Sequence, residues 1–328
     1  MAPAPSTLRE IDAHTVLVGL LGDPVRHSLS PAMHNAALAE LGLNWVYLAL
    51  PAPTHRLEVV LQGLEAVDCR GLNVTIPHKQ AVAPLCSQLS PLAERLGAVN
   101  TLCRQASGGW LGTNTDVEGF LAPLRHGSSS SSPNPWADRQ AVVLGCGGSA
   151  RAVVAGLANL GLASIQLAGR RADALQAFQT SCANWAPQLQ TLCWPEPGHA
   201  SAGPLAKGYS EGFSEAFTEA LSTASLIVNT TPVGMASAQA RALNGPCPLR
   251  AEQLAHLSPE ATVYDLIYTP RPTPLLQAAA ARGCRTIDGL EMLVQQGAAA
   301  LRLWSQQSDV PVDAMRRAAE AALATDPG

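Results

Sequence analysis

Nineteen of the 21 basic residues in this 328-residue chain are arginine, and one of its two lysines, Lys79, closes the segment Gly71-Leu-Asn-Val-Thr-Ile-Pro-His-Lys79. The two cations differ in chemistry. A guanidinium stays protonated at physiological pH and binds anions, whereas an ammonium can also give up a proton when its surroundings tune it. Lys79 is therefore a candidate acid/base. The second lysine, Lys207, lies in the Gly/Pro/Ser-rich stretch 197–212 and reads as a solvated loop residue. Other polar groups gather near Lys79 in sequence. Ser28 and Ser30 stand one residue apart before a helix-like run, where hydroxyls and a helix N-terminus suit a carboxylate or polyol. Asn73, Thr75, the run Ala98-Val-Asn-Thr101 and the run Gly112-Thr-Asn-Thr-Asp-Val-Glu-Gly119 place hydrogen-bonding groups at expected strand ends, as a polyhydroxylated ligand requires.

A second constellation suits a nucleotide. Leu144-Gly-Cys-Gly-Gly-Ser-Ala-Arg151 follows a strand-like run and opens a helical one. Gly145 and Gly147 allow a tight turn and close backbone approach to a pyrophosphate. Gly148, Ser149 and Ala150 supply helix N-terminal amides, with Ala150 in place of the usual third glycine. At the end of the next strand, where an acidic residue would take the ribose hydroxyl of NAD, the chain has Gly169-Arg170-Arg171. Two arginines favour the 2′-phosphate of NADP. Asp173 reads as a helix-start residue.

These groups need elements to hold them. Strands are expected at 15–21, 45–50, 72–75, 141–144, 164–168, 226–229 and 262–266. Helices are expected at 30–41, 56–67, 116–124, 150–160, 172–185, 290–304 and 312–323, with Ser30 as N-cap and Pro31 as first helical residue. This alternation predicts an α/β protein with mostly parallel sheets. Two domains are expected: 1–125 with 289–328 for the substrate, and a doubly wound Rossmann-type domain, 126–288, for NADP. The joint between them is Gly127-Ser-Ser-Ser-Ser-Ser-Pro-Asn-Pro135, and 195–215 reads as an excursion.

With 47% hydrophobic and 14% charged residues, the composition is that of a globular protein. A net charge of −4 offers no basic field for nucleic acid, and no apolar run is long enough for a bilayer. The N-terminal residues lack a signal-peptide pattern, and eight scattered cysteines without Cys-x-x-Cys suit a reducing cytoplasm. No metal site is expected; His27 and His34 would meet one only by coincidence.

Taken in order, the blocks Ser28-x-Ser30-Pro, Asn73-Val-Thr-Ile-Pro-His-Lys79, Ala98–Thr101 and Asn114-Thr-Asp116 resemble the shikimate dehydrogenase family. The resemblance continues through Gly145–Arg151, Asn229-Thr-Thr-Pro-Val-Gly234, Asp265-Leu-Ile-Tyr-Thr-Pro270 with Thr273-Pro-Leu-Leu276, and Asp288-Gly-Leu-Glu-Met-Leu-Val-Gln-Gln296. It spans nearly the whole chain. It implies reversible, NADP-dependent reduction of 3-dehydroshikimate to shikimate, with Lys79 and Asp116 as the catalytic pair. Ser28 and Ser30 would hold the substrate carboxylate, Thr75, Asn100 and Gln296 its ring hydroxyls, and Tyr268 would lie near the carboxylate. Thr230 and Gly289 would join the glycine turn and the arginines on the cofactor side. The C-terminal helices would return to the first domain, and the enzyme would act as a monomer or homodimer. Gly169 departs from the asparagine common in the family. The nearest rival is a quinate or dual quinate/shikimate dehydrogenase; a rival of another class is a non-catalytic metabolite sensor, against which a titratable lysine argues.

Overall fold

A computed structural model describes residues 11–126, 134–194, 206–235 and 245–325. The chain divides into two compact units, Met1–Thr115 with Gly297–Asp326, and Asp116–Gln296 with Pro327–Gly328.

The first unit begins with β1 (Val16–Gly22), α1 (Ser30–Glu40), β2 (Trp45–Pro51), α2 (Leu57–Ala66) and β3 (Gly71–Val74). It continues with β4 (Gln88–Leu89), α3 (Pro91–Leu96), β5 (Thr101–Arg104) and β6 (Trp110–Thr113). The sheet order is β2-β1-β3-β5-β6-β4. β1 pairs in parallel with β2 and β3, but β5 runs antiparallel to both β3 and β6. The β5–β6 hairpin is the main departure from the expected parallel alternation. Its turn uses Gly108 and Gly109 at φ of 96° and 77°, a region L-residues rarely adopt.

The second unit contains α4 (Asp116–His126), β7 (Gln140–Leu144), α5 (Gly148–Asn159), β8 (Ser164–Gly169), α6 (Ala172–Cys182) and β9 (Leu189–Cys193). Next come α7 (Ala206–Thr223), β10 (Leu226–Asn229), α8 (Ala251–Leu254), β11 (Thr262–Asp265), α9 (Pro274–Ala281), β12 (Arg285–Ile287) and the first part of α10 (Leu290–Ser305). All its strand pairs are parallel, in the order β12-β11-β10-β7-β8-β9. β7 and β10 are short apolar runs because both faces of a parallel sheet are covered. Strand order reverses between β7 and β10, and in such sheets that crevice, at the carboxyl ends of the strands, is where ligands bind.

The second part of α10, with α11 (Val312–Thr325), belongs to the first unit. α11 packs along α1 and buries Ala314, Met315 and Ala319. Trp304 donates its indole N–H to the Leu102 carbonyl at 3.0 Å and lies where a side chain on Gly71 would be. The units divide at 115/116 and 296/297, whereas the sequence alone places the boundaries at 125/126 and 288/289. α4 packs on α5, where a Cβ on Gly156 would sit 2.7 Å from Phe120.

Two local expectations are corrected. Ser30 is the first helical residue, with Leu29 as N-cap, and no side chain caps α1; instead Ser28 Oγ accepts the Ser30 amide at 3.2 Å. Residues 206–212, expected as loop, form the start of α7, whose later turns bury Phe217, Ala220 and Leu221. Most of the serine joint (127–133) and residues 195–205 lie outside the described residues.

Candidate active site

In the first unit a buried polar array gathers where β3 ends and β5 begins. Tyr47, fully buried on β2, reaches over β1 and donates its hydroxyl to Asn73 Oδ1 at 2.8 Å. The Asn73 amide donates towards Thr101 Oγ1 (3.3 Å) and the Asn100 carbonyl (3.4 Å). Asn100 Oδ1 accepts the Thr115 amide at 2.7 Å and the Thr101 hydroxyl at 3.0 Å, while its Nδ2 donates to Thr115 Oγ1 at 3.0 Å. Desolvation pushes the Tyr47 phenol well up from its usual value, and the Ser30 hydroxyl beside it opposes the shift. The head of α1 and the Asn73–Asn100 cluster are thus tied together through Tyr47.

Two residues with no site role in the sequence hold Tyr47. His34 stacks on its ring, with centroids 4.2 Å apart and planes 3° from parallel. Burial lowers the His34 pKa to about 3, so the ring is neutral. Asn35 accepts the Tyr47 amide and donates to its carbonyl, each at 2.9 Å.

Lys79 is half-buried, on a segment pinned from both sides. The preceding His78 is fully buried with Nε2 2.6 Å from the Ala52 carbonyl, which requires the proton on that nitrogen. The Lys79 carbonyl accepts the Val99 amide at 2.7 Å, one residue before Asn100. Thr75 donates its amide to the Leu21 carbonyl at 2.9 Å, and its methyl lies where a Cβ on Gly22 would fall. Ser28, Ser30, Thr75, Lys79 and Asn100 therefore lie on segments joined by direct contacts at one end of one sheet.

Two further groups expected in the substrate site, Asp116 and Gln296, belong to the second unit. Asp116 begins α4, is only 4% exposed, and directly follows Thr115. Gly119, one turn later, lets α4 touch α10: a Cβ there would lie 2.7 Å from the Met292 carbonyl and 2.8 Å from Gln296 Cβ. This contact brings Asp116 and Gln296 onto facing helices.

The nucleotide constellation lies at the β7/β10 switch point. Gly145 adopts φ 101°, and a Cβ there would fall 2.8 Å from both Thr230 Oγ1 and Thr231 Cγ2, so the turn requires glycine. Thr230 is fixed by its amide and hydroxyl, which donate to the Leu144 carbonyl at 2.9 and 2.7 Å. Gly147 differs, since a Cβ there would meet no protein atom within 4 Å. It caps α5 without a side chain, leaving the amides of Gly148, Ser149 and Ala150 facing a cradle that a Cβ would fill. Ala150 is fully buried, as close helix–strand packing demands. Arg170 and Arg171 are exposed between β8 and α6, with Arg171 as the N-cap. These groups fit a phosphorylated dinucleotide. Gly169 has its own reason: a Cβ would press on Leu175 Cδ2 at 2.9 Å.

Gly289 touches the Leu266 carbonyl so closely that no side chain fits, which gives it a backbone-packing role beside any cofactor contact. Tyr268 is half-buried on the segment after β11, and desolvation raises its pKa. That segment hangs on Asp265, a fully buried carboxylate. Desolvation pushes Asp265 up to about 6, against hydrogen bonds from Thr273, Ile267 and Asn229 that lower it. Because the folded value is raised above 3.8, the contribution to stability is complete below that pH and is lost as pH rises through about 6. The melting temperature of Asp265→Asn relative to the parent should therefore climb between about pH 4 and about pH 6 and level off above that. A gap that is constant, or that narrows, would contradict the buried charge.

Residues 20–102 match the family model for the shikimate dehydrogenase substrate binding domain, and residues 289–320 that for the shikimate 5′-dehydrogenase C-terminal domain. The chain is 45% identical over 308 residues to the shikimate dehydrogenase (NADP(+)) of Trichormus variabilis, covering 94% of this chain and 97% of that one. The fold is similar to that of shikimate 5-dehydrogenase from Thermus thermophilus, solved with NADP(H) and shikimate (TM-score 0.75, 34% identity, 94% and 100% coverage). It is also similar to quinate dehydrogenase from Corynebacterium glutamicum in complex with NAD (TM-score 0.76, 28% identity, 94% and 99% coverage). With a buried hydroxyl–amide array in one unit, a glycine turn at the sheet's switch point in the other and near full-length similarity to such enzymes, this chain belongs to the shikimate dehydrogenase family.

Proposed function

We propose that the chain catalyses the reversible, NADP-dependent reduction of 3-dehydroshikimate to shikimate, a step of aromatic amino-acid biosynthesis. The observation that carries this reading is the buried hydroxyl–amide array of the first unit, joined through the Val99–Lys79 backbone bond to a pinned lysine. The first unit serves as the substrate domain and the second as the NADP domain.

Carbonyl reduction needs a hydride on carbon and a proton on oxygen; NADPH supplies the hydride when bound. The chain supplies the rest. Lys79 Nζ donates the proton to the C3 oxygen in the reductive direction and takes it back in the other. Asp116 orients the ammonium and stabilises its charge. Ser28 and Ser30 hold the substrate carboxylate at the head of α1, with Tyr268 near it. Thr75, Asn100 and Gln296 hold the ring hydroxyls. Gly145, Gly147, Gly148, Ser149 and Ala150 hold the pyrophosphate with backbone amides, and Arg170 and Arg171 the 2′-phosphate. Thr230 and Gly289 line the cofactor side. All eight cysteines are free thiols, which accords with a cytoplasmic enzyme, monomeric or homodimeric.

Similarity to an NAD-bound quinate dehydrogenase supports a second reading, in which quinate is the better substrate. Measuring kcat/KM for shikimate and quinate with NADP⁺ and NAD⁺ separates the two. Shikimate with NADP⁺ should be the best combination; faster quinate oxidation with NAD⁺ would replace the first reading by the second.

A further inference from the structure

Asp265 ends β11 beside β10, and its carboxylate is out of contact with water. Burying a carboxylate costs free energy unless its hydrogen-bonding capacity is met. Here three donors meet it. Oδ1 accepts from Asn229 Nδ2 at 2.9 Å and from the Ile267 amide at 3.2 Å, and Oδ2 accepts the Thr273 hydroxyl at 2.7 Å.

The bond to Asn229 decides which way that amide faces. With Nδ2 directed to Asp265 and to the Val233 carbonyl (3.3 Å), Asn229 Oδ1 accepts the Thr231 amide at 3.0 Å and the Thr231 hydroxyl at 2.8 Å. A flipped amide would set donors against the Thr231 N–H and oxygen against oxygen at Asp265. Thr231 and its neighbour Thr230 are the residues that a Cβ on Gly145 would strike. A chain of direct contacts therefore runs from Asp265 through Asn229 and the 230–231 turn to the glycine turn at the switch point.

We propose that Asp265 is a positioning residue for the cofactor site: by orienting Asn229 it holds the Thr230–Thr231 turn against Gly145, in the shape that receives the dinucleotide. This rests on the NADP-dependent reading above. What matters is the acceptor at Oδ1. An asparagine at 265 keeps that acceptor and can donate Nδ2 to the Thr273 hydroxyl, whereas an alanine keeps neither.

The test is equilibrium binding of NADP⁺ and, separately, of shikimate to the full-length protein, each without the other ligand, followed by intrinsic fluorescence or calorimetry. Asp265→Ala should weaken NADP⁺ binding at least about tenfold and leave shikimate binding within about twofold. Asp265→Asn should restore NADP⁺ affinity to within about threefold of the parent. Thr231→Val, which removes the hydroxyl that donates to Asn229 and accepts the Val233 amide at 3.2 Å, should weaken NADP⁺ binding about threefold and serves if Asp265→Ala does not fold. Binding of NADP⁺ by the parent protein tests the functional reading by itself. With that binding in place, unchanged NADP⁺ affinity in both Asp265→Ala and Thr231→Val would overturn the positioning role. So would equal losses in the alanine and asparagine variants, or equal losses of both ligands.

Discussion

Replacing Lys79 with alanine should lower kcat at least about a hundredfold while KM changes much less. The lysine's carbonyl is fixed by Val99 and its preceding residue by the His78–Ala52 bond, so the truncation should leave the surrounding backbone in place. On the proposed mechanism, loss of the side chain removes the proton donor for the carbonyl oxygen, not the groups that bind the ring. Near-normal kcat would take Lys79 out of the mechanism. Lys79→Arg divides the role further, because it keeps the positive charge and cannot give up a proton. It should be nearly as inactive as the alanine variant; substantial activity would make the role of Lys79 purely electrostatic.

The second large effect is expected at the β8–α6 junction. Arg170 and Arg171 are solvent-exposed, and Arg171 caps α6 with extended backbone geometry instead of a side-chain hydrogen bond. Neither side chain is built into the core, so removing both should cost little stability. Charge-assisted bonds to a phosphate contribute about 1.5–3 kcal/mol, and the double change Arg170→Ala, Arg171→Ala should weaken NADP⁺ binding at least about thirtyfold. NAD⁺, without the 2′-phosphate, should bind within about threefold of the parent. The parent's NADP⁺ affinity should also fall with rising salt more steeply than that of the double variant. A double variant that still prefers NADP⁺ strongly would place the 2′-phosphate elsewhere.

How far these sites can be read in the sequence depends on whether their physics is local. The turn at Gly145–Ala150 is legible because a buried apolar strand, glycines and a helix start follow one another along the chain. The β5–β6 hairpin is not, since its four-residue strands are too short to show a period and their pairing is set by Gly108 and Gly109. Ser30 reads as an N-cap by its type, yet the chain enters α1 one residue earlier through Leu29. Tyr47 and Asp265 carry no motif of their own. Tyr47 matters because sheet order sets β2 two strands from β3, within reach of Asn73. Asp265 matters because β11 lies beside β10, within reach of Asn229. His34 likewise reads as an ordinary helix residue until the fold stacks it on Tyr47.

The central claim is that one chain carries both the polyol site and the NADP site of a working dehydrogenase. Its most direct test is to mix the purified protein with shikimate and NADP⁺ and to follow the formation of NADPH by absorbance. Turnover should depend on both compounds and be abolished in Lys79→Ala. Binding of either ligand without NADPH formation would contradict the claim and leave a metabolite-binding protein in its place.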